Sequence, residues 1–267
     1  MKKIVLLLAV VMAVVTFTSG SVFATDALTE IQKRGVLRVG LDPGYMPFEL
    51  TSKKGKIIGF DVDIAKRMAK AMDVKLEIVS TAWDGIIPAL LTGKFDVIMS
   101  AMTLTQQRNI SVNFATPYIM IGQSILLRKE LMDTVKSYKD LNDPKYTIAS
   151  KLGTTGEHAV KRMIGKATYI SYETEQEAVM ELVNGKIDAF VYDLPFNLLA
   201  LGQRGVGKII HLDKPFTKEP VAWAIKRGDP DFLNWLDNFM NQIKYDGVYD
   251  KIYKKWFKDD AWMKEIH

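Results

Sequence analysis

Short apolar runs alternate with helical apolar periods along this chain, and that alternation restricts its fold more than any other feature of the sequence. Residues 36–40 and 95–99 have the composition of buried strands, and 75–80 alternates with a period of two. Between them, 60–72 and 86–91 carry apolar side chains at helical spacing. Strand–helix–strand order with short connections predicts a parallel sheet that is covered by helices.

A second series of the same kind follows and ends in two further helices. Strands are expected at 124–127, 146–150 and 187–192, and helices at 157–164, 173–183, 231–243 and 248–257. Two α/β units of about 90–100 residues each are therefore predicted. No repeat, low-complexity tract or Gly/Ser linker separates them, so the crossings between units are expected in the least helical stretches, 111–118 and 215–221.

The first 24 residues have the pattern of a secretory signal. Lys2 and Lys3 precede an unbroken apolar run at 4–15, which is too short to span a bilayer of roughly 30 Å comfortably. A small-x-small site then ends at Ala24. We expect cleavage after Ala24, which leaves 243 residues. The alternative is a membrane anchor that is retained at the N-terminus.

Composition excludes several classes of protein. The chain has 48% hydrophobic and 25% charged residues, as in globular proteins, and it has no Cys, so disulfide scaffolds and Cys-ligated metals are excluded. Its three His, at 158, 211 and 267, lack metal-ligand spacing, and we expect no metal or cofactor.

Charge and hydropathy narrow the expected partners. Removing the two lysines of the leader lowers the formal charge from +5 to +3, and the basic residues are scattered, so we expect no nucleic-acid binding. The mature chain has no second apolar run of 18 residues, so we expect no membrane insertion after cleavage.

Several short sequence words, in order and at characteristic spacing, resemble the bacterial solute-binding proteins for polar amino acids. They are Gly-Val-Leu-Arg-Val-Gly at 35–40, Tyr-Met-Pro-Phe-Glu at 45–49, Gly-Phe-Asp-Val-Asp at 59–63, Gly-Ile-Ile-Pro-Ala-Leu at 85–90, Thr-x-Thr-x-x-Arg at 103–108, Phe-x-x-Pro-Tyr at 114–118, Gly-Lys-Ile-Asp at 185–188 and Gly-Val-Tyr-Asp-Lys-Ile-Tyr-Lys-Lys-Trp-Phe at 247–257. Each word alone is weak, but together they cover nearly the whole mature chain. Glutamine-binding and lysine/arginine/histidine-binding proteins are similar in this way.

The resemblance implies a periplasmic-binding-protein fold of type II, with two α/β lobes joined by two crossover strands. It implies a first lobe of residues 25–118 plus 220–267 and a second of 119–219. It also implies a monomer in the periplasm, whose lobes close over an amino acid by hinge motion and which contacts the permease of an ABC importer transiently.

The first lobe would supply four residues to the ligand's charged groups. Arg108 presents a planar fork that suits a carboxylate, although spacing alone favours a surface Arg at a helix start. In the family, the residue at Thr103 offers its N–H to the carboxylate and its hydroxyl to the ammonium. The residue at Ala101 offers its carbonyl to the ammonium. Ser100 is expected to line the site or to cap a turn.

The second lobe would supply three more. Gly153-Thr-Thr-Gly precedes a helix, so its N–H groups suit an anion, and one of the two threonines is also expected to cap that helix. Thr155 is assigned as a carboxylate donor and Thr154 as a lining residue. Asp193 follows a buried strand and matches the ammonium-binding acid of the family, although it could instead cap the next helix.

Four further positions match the pocket for the ligand side chain. Tyr45 and Trp83 match aromatics that sandwich it, although Trp83 could pack in the core. Asp42 and Lys151 match polar positions, and Lys151 could equally be a solvated surface lysine. A Lys opposes a cationic ligand and donates to an amide, so the pair favours glutamine or a similar amide, with a basic amino acid second.

Three other functions compete with transport. Cyclohexadienyl and arogenate dehydratases resemble this fold, but their acidic residue three positions after the Asp is Phe196 here, which cannot donate a proton. We therefore expect no enzyme activity. A fused sensory or lytic module is disfavoured because ten residues follow Phe257. A protein with a dead cleft is disfavoured by the matching Arg108, Thr103 and Asp193.

Overall fold

A computed structural model of the chain describes residues 26–212 and 214–266. The predicted signal and its cleavage site therefore lie outside the described residues. Within those ranges, every helix is too short or too polar to cross a membrane.

The chain up to the first crossing forms a mixture of short strands and helices. These are α1 Ala27–Arg34, β1 Val36–Leu41, β2 Leu50–Thr51, β3 Ile57–Ile58, α2 Phe60–Ala71, β4 Lys75–Ser80, the 3-10 helix Trp83–Gly85, α3 Ile86–Leu91, β5 Val97–Ile98, α4 Gln106–Asn109 and β6 Val112–Phe114.

The middle of the chain repeats this alternation, and the last part is mainly helical. The middle contains β7 Ile119–Ile121, β8 Gln123–Arg128, the 3-10 helix Lys129–Leu131, β9 Thr147–Lys151, α5 Thr155–Met163, β10 Thr168–Tyr172, α6 Glu175–Val183, β11 Ala189–Asp193, α7 Leu194–Arg204 and β12 Ile209–Leu212. The end contains β13 Glu219–Val221, β14 Ala224–Lys226, α8 Pro230–Tyr245, α9 Val248–Phe257 and the 3-10 helix Ala261–Glu265.

The apolar residues of helix α2 form one buried face of that helix. Phe60, Ile64 and Met68 are spaced four apart, fall on one face and are fully buried. The helix begins after Gly59, whose φ of 148° suits glycine alone. A Cβ there would lie 2.0 Å from the carbonyl oxygen of Phe48, so a glycine is required at this position.

Two five-stranded sheets form the centres of the two lobes. The first has the order β4-β1-β5-β14-β6 and the second β10-β9-β11-β8-β12. In the first, β1 pairs in parallel with β4 and β5. In the second, β9 pairs in parallel with β10 and β11. The predicted parallel strands are thus present in both.

Each sheet also contains one reversed strand. Strand β14 is antiparallel to both its neighbours, and β8 likewise. Each of them follows directly after a strand of the two-stranded crossing, in which β7 pairs with β13 through Glu219↔Ile121 and Val221↔Ile119. The alternation of apolar residues is the same in either strand direction, so the sequence pattern does not reveal these reversals.

The predicted crossings are close to the observed ones. Residues 215–221 include β13, whereas 111–118 include β6 of the first sheet and end just before β7. Apolar side chains then fill the space between sheets and helices in both lobes. The lobes also touch through aromatic rings, because Tyr45 packs edge-on against Tyr192 at 5.4 Å between ring centroids.

Candidate ligand-binding site

A small cavity of about 10 Å³ lies between the two sheets, and residues of both lobes line it. Its lining consists of Tyr45, Trp83, Ala101, Thr103, Arg108, Thr154, Thr155, Tyr192 and Asp193. Most follow the carboxyl ends of strands, where ligands bind in open α/β sheets. The structure thus brings together eight of the eleven predicted residues, and three do not line the cavity: Asp42, Ser100 and Lys151.

Arg108 reaches across the gap between the lobes. Its Nη1 donates to the carbonyl of Thr103 at 2.9 Å, and its Nη2 donates to the carbonyl of Gly153 in the other lobe at 3.2 Å. Burial lowers the pKa of the guanidinium, although the nearby carboxylates of Asp193 and Glu219 oppose that shift. Two bonds leave further N–H donors for a carboxylate, since a guanidinium has five.

Asp193 occupies the first position before helix α7, yet its side chain does not cap that helix. Its Oδ2 accepts from the hydroxyl of Tyr45 at 2.5 Å, and its Oδ1 accepts from Nε2 of Gln123 at 2.5 Å. The predicted alternative, a side-chain cap, is therefore wrong. The carboxylate faces the other lobe instead of its own helix.

Burial and the neighbouring Glu219 raise the pKa of Asp193 to about 7, against the opposing effects of Tyr45, Gln123 and Arg108. Burial and Asp193 likewise raise the pKa of Tyr45 well above its ordinary value, so this phenol remains a donor. A cation placed against Asp193 would favour its charged form.

Thr103 of the first lobe and Thr155 of the second lie close together in the cavity lining. Their hydroxyl oxygens are 3.5 Å apart. Thr103 donates to Oε2 of Glu219 at 3.0 Å, and Thr155 accepts from Nε2 of Gln123 at 3.2 Å. Glu219 begins the crossing strand β13 and Gln123 lies two residues after the end of β7, so this hydrogen-bond network joins the site to the crossing strands.

Thr154 serves as the cap of helix α5. Its hydroxyl accepts from the N–H of Glu157 and donates to the carbonyl of Lys151 at 2.7 Å. The expected capping role is thus confirmed for Thr154, which also lines the cavity. The first N–H groups of α5 begin at this edge, where a helix favours an anion.

Trp83 covers Arg108 and also packs, partly buried, against an apolar cluster of the first lobe. Its ring centroid lies 5.1 Å from the guanidinium carbon, and its Nε1 donates to the carbonyl of Gly153 at 3.0 Å. Tyr45, by contrast, is buried and packs against Tyr192 and Phe196 of the second lobe. The two predicted aromatics therefore contact different parts of the second lobe: Trp83 contacts the Gly153 carbonyl, and Tyr45 contacts the rings of Tyr192 and Phe196.

Lys151 is 3% exposed, so the expectation of a solvated surface lysine is wrong. Its Nζ donates to Oδ2 of Asp42 in the first lobe at 2.6 Å and to Oε2 of Glu175 in its own lobe at 2.7 Å. Burial would lower the pKa of Lys151, but the two carboxylates outweigh it and raise that pKa. A charged chain Asp42–Lys151–Glu175 thus crosses the gap.

Ser100 and Ala101 each donate a hydrogen bond to a buried carboxylate of the first lobe. The Ser100 hydroxyl donates to Oε1 of Glu49 at 2.6 Å and accepts from the N–H of Asp42 at 3.0 Å, so it braces Asp42 and does not line the cavity. Ala101 has a φ of 42°, and its N–H donates to Oδ2 of Asp61 at 2.9 Å. The role expected for its carbonyl stays a prediction.

Residues 37–259 match the family of bacterial extracellular solute-binding proteins, family 3. The chain belongs to this family. The resemblance drawn from the sequence words is therefore confirmed, and so is the two-lobe fold with two crossover strands.

Known relatives of this solute-binding protein bind amino acids. A candidate binding component of an ABC transporter from Wolinella succinogenes DSM 1740, complexed with lysine, is 56% identical with a TM-score of 0.84, and the match covers 86% of this chain and 99% of that one. An ancestral amino acid-binding protein, a precursor of cyclohexadienyl dehydratase, is 46% identical with a TM-score of 0.82, covering 87% and 100%. The ABC transporter glutamine-binding protein GlnH of Bacillus subtilis (strain 168) is 32% identical, covering 88% and 86%.

Four residues of the solute-binding protein's site escaped sequence reasoning: Tyr192, Gln123, Glu219 and Glu175. Tyr192 carried a signal, because it directly precedes Asp193 at the end of a buried strand. Glu219 lies within the predicted crossing 215–221, and Gln123 directly precedes the predicted strand 124–127, so their positions offered a weak signal. Glu175 carried no local signal, since an acidic residue at a helix start is ordinarily solvated.

Proposed function

We propose that this protein binds an L-amino acid with a cationic side chain, of the lysine or arginine type, and delivers it to the permease of an ABC importer. One observation carries the proposal: Arg108 of the first lobe and Asp193 of the second line the same cavity. An amino acid carries the complementary carboxylate and ammonium on one carbon, so a single ligand would engage both lobes.

The carboxylate end would lie against Arg108 and the N–H groups at Thr103 and Thr155. The two carbonyls that Arg108 now contacts leave it donors for this purpose. The ammonium end would lie against Asp193, close to the carbonyl of Ala101. Charge-assisted bonds of this kind contribute roughly 1.5–3 kcal/mol each when water is excluded.

The charge around Lys151 now favours a basic amino acid over glutamine. The sequence placed glutamine first because Lys151 was expected to repel a cation. With both Asp42 and Glu175 on Lys151, the group carries a surplus of one negative charge. The lysine complex of the 56%-identical structure supports the same order. The identity to a glutamine-binding protein keeps glutamine as the second candidate.

Closure of the lobes would be the signal that the importer reads. Several contacts cross the gap, among them Tyr45 to Asp193, Lys151 to Asp42, and Arg108 and Trp83 to the Gly153 carbonyl. A ligand that binds only where both walls meet shifts the population toward closed. The motion would pivot on the crossing strands β7 and β13, with the lobe boundaries near 118/119 and 219/220.

Placement in the cell follows from the same proposal. The family is extracellular and the leader has the pattern of a cleaved signal, so we place the mature protein, from residue 25, in the periplasm as a monomer. Its contact with the permease would be transient.

A catalytic role receives little support from the geometry at Phe196. This side chain is fully buried among the rings of Tyr45, Phe190 and Tyr192. A dehydratase needs a proton donor at the leaving hydroxyl, and a phenylalanine supplies none. We therefore propose that the protein binds its ligand without converting it.

Thermal unfolding of residues 25–267 with each of the twenty amino acids, ornithine, citrulline and prephenate tests the function. A ligand at 100 times its Kd stabilises by about 2.7 kcal/mol, which raises Tm by roughly 5–10 °C. Lysine, arginine or ornithine should give the largest shifts, and Arg108→Ala and Asp193→Ala should abolish them. A shift with prephenate alone, or turnover of it, would overturn the proposal.

A further inference from the structure

Glu175 is a buried acidic residue that lies outside the lining of the proposed amino-acid site. Its side chain is fully buried, and its Oε2 lies 2.7 Å from Nζ of Lys151. Its Oε1 is buried without a hydrogen-bond partner among the described residues. Burying an ionised carboxylate costs free energy unless it is paired, so the ammonium of Lys151 is the group that stabilises the charge of Glu175.

A role in the helix alone does not account for this acid. Glu175 is the first residue of α6, but Thr174 caps that helix by accepting from the N–H of Glu177. Glu177 is exposed and also lies in the first turn, so it supplies the acidic charge that a helix start favours. Glu175 instead points at the interlobe gap, where its Oε1 would lie 3.4 Å from a Cβ placed on Gly44.

The charge of Glu175 reaches the cavity. Tyr192 lines that cavity, and burial together with Glu175, Asp193 and Asp42 raises its pKa well above the ordinary value. The charges of the three carboxylates therefore act on a residue that lines the cavity. The second residue of α6 reinforces this approach, because Nε2 of Gln176 donates to the carbonyl of Gly44 in the first lobe at 2.7 Å.

We infer that Glu175 is a specificity-determining residue that acts through Lys151, and that it sets the site for cationic ligands. This inference rests on the proposed function and deepens it. With Glu175 charged, Lys151 is neutralised by a carboxylate of its own lobe. The second carboxylate on Lys151, that of Asp42 in the opposite lobe, then gives the group a net negative charge that attracts a ligand cation.

Without Glu175, Lys151 and Asp42 would neutralise each other. The remaining neutral pair offers one donor and one acceptor group, which suits an amide such as glutamine. A unit charge within several ångströms of a ligand in a partly buried site changes ligand affinity by about tenfold or more. The loss should fall on cations and spare neutral ligands.

Calorimetric titration of the wild type, Glu175→Gln and Glu177→Gln with L-lysine, L-arginine and L-glutamine tests the inference. We expect Glu175→Gln to weaken lysine and arginine by about tenfold or more, and to leave glutamine unchanged or improved. Glu177→Gln removes an exposed charge from the same helical turn and should change none of the three. A purely structural role would weaken all three ligands equally and would overturn the inference, as would equal behaviour of the two variants.

A second variant covers the case in which Glu175→Gln does not fold. Lys151→Gln leaves both carboxylates in place, so it should raise the preference for lysine over glutamine. A fall in that preference would overturn the inference. The proposed function fails separately, in the wild type alone: if it binds no basic amino acid, both proposals are overturned before any variant is compared.

Discussion

The two lobes share one strand order but place different chemistry at the gap between them. The first lobe contributes the guanidinium of Arg108 and the ring of Trp83. The second contributes the carboxylate of Asp193 and the start of helix α5. Neither set suits a zwitterion alone, because each lobe holds groups for only part of the ligand. The fold repeats itself, whereas the proposed recognition of an amino acid depends on the lobes being unlike.

The contacts across the gap follow from that difference. Tyr45 bonds to Asp193, Asp42 to Lys151, and Arg108 to a carbonyl of the Gly153 turn. Each joins a donor of one lobe to an acceptor of the other. Removing the donor or acceptor that one lobe contributes should therefore weaken ligand binding without unfolding either lobe.

The largest effect is expected from Arg108→Ala in the first lobe. It removes the cation that we propose for the ligand carboxylate, so we expect affinity for the best amino acid to fall by about a hundredfold or more, or about 3 kcal/mol. Calorimetric titration measures the loss. Arg227→Ala is a matched control, because Arg227 is an exposed arginine of the same lobe that bonds only to the Ile110 carbonyl in the contacts seen here. Equal losses in both variants would contradict the assignment.

Gly156→Ala should damage the stability of the second lobe. A Cβ there would lie 2.5 Å from Oγ of Ser150 and 2.9 Å from the carbonyl oxygen of Val191. The backbone carbonyl cannot move aside, so we expect about 1–3 kcal/mol of destabilisation in chemical unfolding. Gly202→Ala, in helix α7 with open space around it, should be neutral or slightly stabilising. The reverse order would show that α5 is packed differently.

Acid should weaken binding through the second lobe. Burial and Glu219 raise the pKa of Asp193 to about 7, and in the proposed function the ligand ammonium pairs with the ionised form, so binding would expel a proton at lower pH. Affinity should be level above pH 7 and fall by about tenfold per pH unit below it. Titrations from pH 5 to 8.5, in buffers of different ionisation enthalpy, measure both the slope and the released proton.

Asp61 provides the control for that slope. Burial raises the pKa of Asp61 to about 7 as well, but this acid lies behind Ala101 and bonds to Tyr118. Asp61→Asn should therefore retain the dependence of affinity on pH. A flat profile in the wild type, or one lost in Asp61→Asn, would remove Asp193 as its cause.

The smallest effect is expected at Trp83. Trp83→Leu removes the ring over Arg108 and the bond to Gly153, so affinity should fall by about three- to tenfold, or about 1 kcal/mol. Trp83→Phe keeps a ring face and loses only the N–H, so it should lie between the wild type and Trp83→Leu. Identical affinities in all three proteins would mean that the ring contributes nothing to the site.

Local patterns predicted the parts of the fold that depend on local sequence. Helices α3 and α9 and strand β4 have the predicted bounds. The reversed strand β14 was not predicted, because three residues in a sheet carry too little periodicity and strand direction is set by the crossing. Tyr45, Thr103 and Arg108 lie inside the sequence words, whereas the other predicted lining residues came from positions that the family resemblance implies between those words.

Side-chain partners were harder to predict than positions. The sequence predicted a role for Lys151 in the ligand pocket. It did not predict the partner of Lys151, Glu175, which lies 24 residues later at the start of helix α6. The charge of the side-chain pocket depends on that pair, so the expected ligand order changed from glutamine first to a basic amino acid first. Asp193 shows the same limit, since only the structure shows its carboxylate bonded to Tyr45 and Gln123 and not to its own helix.

Titration of the wild type with lysine and two trimmed analogues tests most directly whether one ligand bridges the unlike lobes. 6-Aminohexanoate lacks the α-ammonium that Asp193 would bind, and 1,5-diaminopentane lacks the carboxylate that Arg108 would bind. We predict tight binding of lysine and a loss of about a hundredfold or more for each analogue. Binding of either analogue within about threefold of lysine would contradict the bridging of Arg108 and Asp193 by a single amino acid.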